Sequence, residues 1–152
     1  MNLILDLDGT LISEDDEPTP RPHLASFLTF AFQQFERVSI WSAAPPEWVH
    51  LQLDRAGIAQ HPWHFVWADV AVSRRLQRDR IVTRKRLRKV CKKWRNLYTL
   101  HNTLVVDNLP ETFAENRGNG VPVPTYKGGA NDRVLLDLMA AVPRWKERFA
   151  EH

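Results

Sequence analysis

The chain has 152 residues, 43% of them hydrophobic and 26% charged, with a formal net charge of +3. That length suits a single domain spanning residues 1–152, with a continuous core but without a large cap domain, so its functional site is expected to be open. No apolar run approaches the length of a membrane span and no charged-then-apolar leader precedes Asp6, so the chain reads as soluble and intracellular, in cytoplasm or nucleus, with no membrane role.

The first predicted element is the apolar strand Leu3-Ile4-Leu5, which runs into Asp6-Leu7-Asp8-Gly9-Thr10-Leu11. Strand geometry sends alternate side chains the same way, so Asp6 and Asp8 would share a face, and Gly9 lets the backbone turn sharply beyond them. Two adjacent anions need a counter-charge. A divalent cation such as Mg²⁺, taking oxygen ligands and touching a phosphate, would supply it and leave one carboxylate free to attack phosphorus. The plainer reading of Asp8-Gly9 is an ordinary turn. The full run of strand, paired acids, Gly and Thr resembles the first motif of the haloacid dehalogenase superfamily. The resemblance implies that Asp6 is a nucleophile passing through an aspartyl-phosphate. It implies that Asp8 is the general acid and then the base, and that Thr10 belongs to the substrate-binding set.

Residues 13–22 are acidic and rich in proline, as in a loop overhanging the strand end. A helix is predicted from about Pro20–Pro22, with Leu24, Phe27, Leu28, Ala31, Phe32 and Phe35 forming its buried stripe. Residues 37–42 read as a second strand, and Pro45-Pro46-Glu47 as the first turn of a helix reaching about Ala56 before Gly57 stops it. Ser42 falls at the carboxyl end of that strand, where open parallel sheets bind ligands. Read alone it is a capping residue; the superfamily places a Ser or Thr here that hydrogen-bonds a phosphate oxygen.

Between Ile58 and Arg84 the pattern changes to short β-like pieces, residues 64–67 and 80–82, which suggest a small β insertion over about 59–84. The His and Trp residues around it (His61, Trp63, His64, Trp67) have no zinc spacing, which favours packing or a groove lining over a metal role. Charge is concentrated just beyond. Residues 74–95 hold 12 of the 21 Lys and Arg and one acid, Asp79, leaving nine cations against 17 acids elsewhere. Such a segment is either a solvated face or a surface for an anionic partner, whether phosphoprotein, nucleic acid or another subunit.

Residues 85–94 place Leu87, Val90, Cys91 and Trp94 at helical intervals, with the cations outward. As the only cysteine, Cys91 excludes an internal disulfide and a multi-cysteine zinc site. One cation should differ: Lys85, at the helix start, is placed to neutralise charge on the equatorial oxygens in phosphoryl transfer. A plain surface lysine is the alternative. Residues 102–106 form the next buried strand, ending at Asp107-Asn108. Asn108 offers a hard oxygen for Mg²⁺ alongside Asp6 and Asp8, and Asp107 can hold Lys85; an Asx turn would explain both as well. Residues 121–124, with two prolines, suit an edge strand. Asn131 is expected to cap a terminal helix packed through Val134, Leu135, Leu138, Val142 and Trp145.

The alternation of strands and helical segments gives an α/β class with a parallel sheet. Arg21-Pro22 with Phe27-Leu28, then Ile40-Trp41-Ser42-Ala43 with Trp48-Val49, then Lys85-x-Leu leading to Asn102-Thr103 and Asp107-Asn108, narrow the resemblance further. They are similar to the phosphatases of the RNA polymerase II C-terminal domain, and to the related NLI-interacting-factor and ubiquitin-like-domain phosphatases, from about residue 2 to 145. Gly9 stands where that branch often has Glu, and is the commoner choice in the wider superfamily. The resemblance implies a capless, three-layer Rossmann-like fold and a Mg²⁺-dependent phosphatase acting on phosphoserine or phosphothreonine in protein or peptide. Within it Asp6, Asp8, Ser42, Lys85 and Asp107 are catalytic, with Asp8 meeting the metal through its main-chain carbonyl. Two other functions compete: a nucleic-acid end phosphatase using the basic segment 74–95, and a silent binding module like the mitochondrial translocase subunit that carries this domain. The sequence leaves the oligomeric state open.

Overall fold

The computed structural model describes residues 1–150. In chain order the elements are β1 (Asn2–Leu5), α1 (Leu24–Gln34), β2 (Arg37–Trp41), α2 (Pro46–Arg55), β3 (Val66–Trp67), β4 (Ser73–Gln77) and β5 (Arg80–Arg84). After these come α3 (Leu87–Lys93), β6 (Thr103–Asp107), a kinked 3-10 segment (Pro110–Asn119), β7 (Gly120–Pro122) and α4 (Val134–Ala150).

Five strands form one parallel sheet in the order β3-β2-β1-β6-β7, and β4 and β5 form a separate antiparallel hairpin. Alternation along the strands divides the apolar side chains between two cores. Leu3, Leu5, Val38, Ile40, Leu104 and Val106 meet the buried stripes of α1, α2 and α4 on one face. Ile4, Trp41 and Val105 meet Leu87 and Val90 of α3, with Phe65 and Tyr98, on the other. Covering both faces is what a parallel sheet requires, and it makes the fold the three-layer, Rossmann-like α/β arrangement expected from sequence. Fully burying a side chain such as Leu28 is worth roughly 1.5–3 kcal/mol.

Strand order fixes where a site can form. The chain steps outward from β1 through β2 to β3, then returns to the other side of β1 for β6 and β7. Direction therefore reverses between β1 and β6, and a crevice opens outside their carboxyl ends. Asp6 follows β1, Asp107 ends β6, and Ser42 follows β2. The loop 6–23 carries only isolated bridges, Asp8 to Ile12 and Ile12 to Pro20, and no cap.

Several elements differ from the sequence reading. Residues 64–67 do not belong to the insertion: Val66–Trp67 pairs with Ile40 and Trp41 as an edge strand of the main sheet. The insertion is the hairpin of residues 73–84, of which the sequence pattern marks only the second strand. β4 escapes periodicity because four of its five residues are exposed, and its turn, Arg78-Asp79, adopts left-handed φ of 49° and 62° without the usual Asn or Gly signal. Helix α1 starts at Leu24 because His23 before it is left-handed. At α4 the cap is Asp132, whose carboxylate accepts the Val134 N–H at 3.0 Å, and not the exposed Asn131.

Candidate active site

A cleft of about 160 Å³ at the carboxyl ends of β1, β2 and β6 is lined by Asp6, Asp8, Ser42, Lys85, Asp107 and Asn108, among others. Its centre is an ion triad. The Lys85 ammonium, 2% exposed, donates to Asp6 Oδ1 at 2.9 Å and to Asp107 Oδ2 at 2.5 Å. Lys85 reaches it because its own N–H is tied to the Thr112 carbonyl, and Leu87, two residues on, anchors α3 in the core. Among the twelve cations of segment 74–95 it is the one fully buried, whereas Arg88, Lys89, Lys92 and Lys93 point outward from α3.

Two anions around one cation leave a negative balance in a dry place. Burial pushes the Asp6 carboxyl up from 3.8 to about 7; Lys85 pulls it down, and Asp107 opposes Lys85. Burial alone would lower the Lys85 pKa, but the two carboxylates outweigh it and hold the ammonium charged. Asp6 is gripped on its other oxygen too, since the Thr10 hydroxyl donates to Oδ2 at 3.0 Å. Thr10 is completely buried behind that carboxylate, bridges to Asn108 Oδ1 at 3.3 Å, and does not line the cleft.

β1 ends at Leu5, so Asp6 and Asp8 share the cleft through the loop beyond the strand, and not through strand alternation. Asp8 Oδ2 accepts the Trp48 indole N–H at 3.0 Å, while buried Oδ1 has no hydrogen-bond partner among the described residues. Burial raises the Asp8 pKa, the Trp48 bond lowers it, and Glu14 raises it by repulsion. Ser42 Oγ accepts the Ala44 N–H at 3.0 Å, closing the turn that leads to α2, whose N-cap is Pro45. Asp107 serves in two ways, with Oδ1 accepting the Leu109 N–H at 2.8 Å in an Asx turn and Oδ2 meeting Lys85. The turn and the ion pair, alternatives on sequence alone, coexist.

The donor set suits a hard cation. Asp6 and Asn108 present side-chain oxygens, the Asp8 carbonyl accepts no hydrogen bond among the described residues, and Asp8 Oδ1 is a buried orphan. Gly9 keeps the space open: at φ +79, an added Cβ would lie 2.5 Å from Asn108 Nδ2 and 2.8 Å from Glu14 Oε1. Among the described residues no group of three or more His, Cys, Asp and Glu is placed to bind a metal; two carboxylates, a carbonyl and an amide are a donor set of another kind.

Three further residues, to which sequence reasoning assigns no role, shape the site. Trp48 orients Asp8; the sequence marks it only as part of the Trp48-Val49 pair in the family resemblance, with no role attached. Glu14 lines the mouth. Arg21, 1% exposed, holds the motif loop: its guanidinium donates to Asp132, to the Thr10 carbonyl at 3.1 Å and to the Pro124 carbonyl at 2.9 Å. The aromatic and His residues pack, as their spacing predicts. His61 and Trp63 lie on Phe32, and Phe65, Trp67, Trp94 and Tyr98 form a ring cluster whose Trp94 stacks on both Phe65 and Trp67.

The sequence matches known proteins along nearly its whole length. The model of a family described as NLI interacting factor-like phosphatase matches residues 1–148. The ubiquitin-like domain-containing CTD phosphatase of Arabidopsis thaliana is 32% identical over 149 residues, covering 90% of this chain and 44% of that protein. Ubiquitin-like domain-containing CTD phosphatase 1 of Xenopus tropicalis and that of Homo sapiens are each 29% identical over 149 residues, covering 90% of this chain and 46% of theirs. The chain thus spans under half the length of these curated relatives.

Proposed function

The chain belongs to the NLI interacting factor-like phosphatase family, and from that premise we propose that it is a Mg²⁺-dependent phosphomonoester hydrolase acting through an aspartyl-phosphate on phosphoserine or phosphothreonine in protein or peptide. The observation that carries this reading is the buried Lys85 bridge between Asp6 and Asp107, beside an Asp8 with one oxygen unspent.

A carboxylate oxygen of Asp6 attacks phosphorus, the bond from phosphorus to the ester oxygen breaks, and Asp8 gives its proton to the departing alkoxide. In the second half-reaction Asp8, now ionised, takes a proton from water as that water attacks phosphorus and frees Asp6. Burial supports the first role by keeping Asp8 protonated to higher pH than an ordinary carboxyl. Trp48 holds one oxygen of Asp8 and leaves the other for proton exchange. Lys85 and Ser42 hold phosphoryl oxygens, and Asp107 keeps Lys85 in place. Asp6, the Asp8 carbonyl and Asn108 would hold Mg²⁺, which when bound neutralises phosphoryl charge and offsets the crowding of carboxylates. An unphosphorylated Asp6 shares its charge with Lys85, so the nucleophile is held in position before substrate arrives.

The test is turnover of p-nitrophenyl phosphate and of a phosphoserine peptide with Mg²⁺, by wild type and Asp6→Asn. Rapid turnover in the variant, or none in the wild type, refutes the mechanism.

Among the described residues no helix is long and apolar enough to cross a membrane.

A further inference from the structure

On the far side of β5 from the cleft lies a larger groove of about 480 Å³. The two share one wall. Along β5 and one residue beyond it, Thr83 and Lys85 line the cleft while Val82 and Arg84 line the groove, the alternation a strand imposes. On the facing segment Leu109 and Thr112 line the cleft while Pro110 and Phe113 line the groove. The Lys85 N–H to Thr112 carbonyl bond, at 2.6 Å, joins the two sides. The ridge between the sites is therefore crested by consecutive exposed residues, Leu109 and Pro110.

The groove has a built floor and a charged rim. Val82 and Phe113 are buried. Phe113 lies so close over Gly120 that an added Cβ there would fall 2.1 Å from its ring. Around this apolar base stand Arg80, Arg84 and Arg117. Glu111 pairs with Arg80, whereas Arg84 and Arg117 have no ion-pair partner among the described residues. Across the cleft mouth the sign reverses. Glu14 lines it, and the acidic loop behind is fixed by Gln52 and Arg55, which donate to the Asp15 and Asp16 carbonyls.

We propose that this groove docks an acidic segment of the phosphopeptide substrate, with an apolar side chain on Val82 and Phe113 and carboxylates on Arg84 and Arg117, a few residues from the phosphorylated one. This rests on the proposed phosphatase reading. Charge selects the occupant: an acidic flank is repelled by loop 14–17 and attracted over the ridge. A nucleic-acid strand would want successive aromatic faces for its bases, and Phe113 is the one aromatic among the lining residues. Extended chain covers about 3.4 Å per residue, so a spacer of about four residues reaches about 14 Å.

The experiment uses two phosphoserine peptides with the same spacer, one ending in Asp-Asp-Leu-Asp-Asp and the other in Gln-Gln-Leu-Gln-Gln. The acidic tail should raise kcat/KM about tenfold at low salt, through KM, and lose that gain as ionic strength rises. Arg84→Gln/Arg117→Glu, and Arg117→Glu alone at an exposed position, should reduce the gain without changing p-nitrophenyl phosphate turnover. Equal kcat/KM for both tails, or a gain that survives the double substitution, overturns the proposal. Binding of the fluorescein-labelled, unphosphorylated acidic peptide, read by anisotropy, stands apart from catalysis. If wild type turns over nothing yet binds this probe through Arg117, the groove stands and the phosphatase reading falls. If it turns over p-nitrophenyl phosphate but does not bind the probe, the phosphatase reading stands and the groove falls. Displacement of the probe by a single-stranded oligonucleotide at lower concentration than by the acidic peptide would also overturn it.

Discussion

The carboxyl edge of the parallel sheet and the β4–β5 hairpin are both rich in ionisable side chains, yet their charges work under opposite conditions. At the sheet edge Asp6, Lys85 and Asp107 are nearly inaccessible and each bonds another. On the hairpin Arg74, Arg75, Arg78 and Arg80 are exposed. Buried, a charge without its partner is costly, so removing the shared cation Lys85 disturbs folding and chemistry together. In water the same removal barely affects the fold, and what changes is the field met by an arriving partner. On the proposed reading, substitutions at the triad and at the groove should therefore act on different properties, the first on turnover and the second on peptide choice.

The largest break in that contrast should come from Asp6→Asn, with loss of p-nitrophenyl phosphate turnover on the order of 10⁵-fold in a folded protein. Next, Lys85→Met leaves Asp6 and Asp107 facing each other without a cation, and should lower the stability read from urea unfolding by about 3–5 kcal/mol. An unchanged midpoint would mean that the triad is hydrated and resembles the hairpin after all.

A third measurement sharpens the electrostatics without using activity. Since burial lifts the Asp6 pKa from 3.8 to about 7, the folded state keeps a proton across that interval that the unfolded chain releases. The contribution of Asp6 to stability is then greatest below about pH 4 and is lost as pH rises through about 7. Asp6→Asn removes this loss. In EDTA its Tm should exceed wild type at pH 8, with the gap closing toward pH 4, and added Mg²⁺ should raise the wild-type Tm more than that of the variant. A pH-independent gap would mean that Asp6 is not desolvated.

How much of this is legible in the sequence follows the same divide. Asp6, Asp8, Lys85, Asp107 and Asn108 can be named because each sits within two or three residues of an element boundary that apolar periodicity locates. Their convergence then follows from strand order. Trp48 and Arg21 cannot be assigned, because their partners lie 40 and 111 residues away and neither residue interrupts a pattern. β4 is hidden for a related reason: a strand with no buried face has no alternation to detect. The fate of Val66–Trp67 depends on pairing with β2, which a two-residue segment does not encode locally.

Trp48→Phe probes a smaller effect at the boundary between the regions. The indole N–H bond lowers the Asp8 pKa, so its loss should raise that pKa and move the alkaline limb of the kcat profile to higher pH, with folding preserved. A limb that stays put would remove Asp8 from proton transfer.

The smallest expected effect is on the hairpin itself. Leu76 and Ile81 face each other across β4 and β5 and are 72% and 68% exposed, so as a cross-strand pair they contribute at most a few tenths of a kcal/mol to about 1 kcal/mol. Leu76→Ser/Ile81→Ser should therefore shift the urea midpoint by little and leave p-nitrophenyl phosphate turnover unchanged. These side chains sit on the opposite face of the hairpin from Val82 and Arg84, so the acidic-tail advantage should survive as well. A clear loss of stability would show that the pair is covered in solution, and sedimentation of wild type and variant at matched concentrations would then tell whether a second copy covers it. An unchanged midpoint with a lost acidic-tail advantage would move peptide selection from the groove to this exposed face, leaving the buried triad untouched.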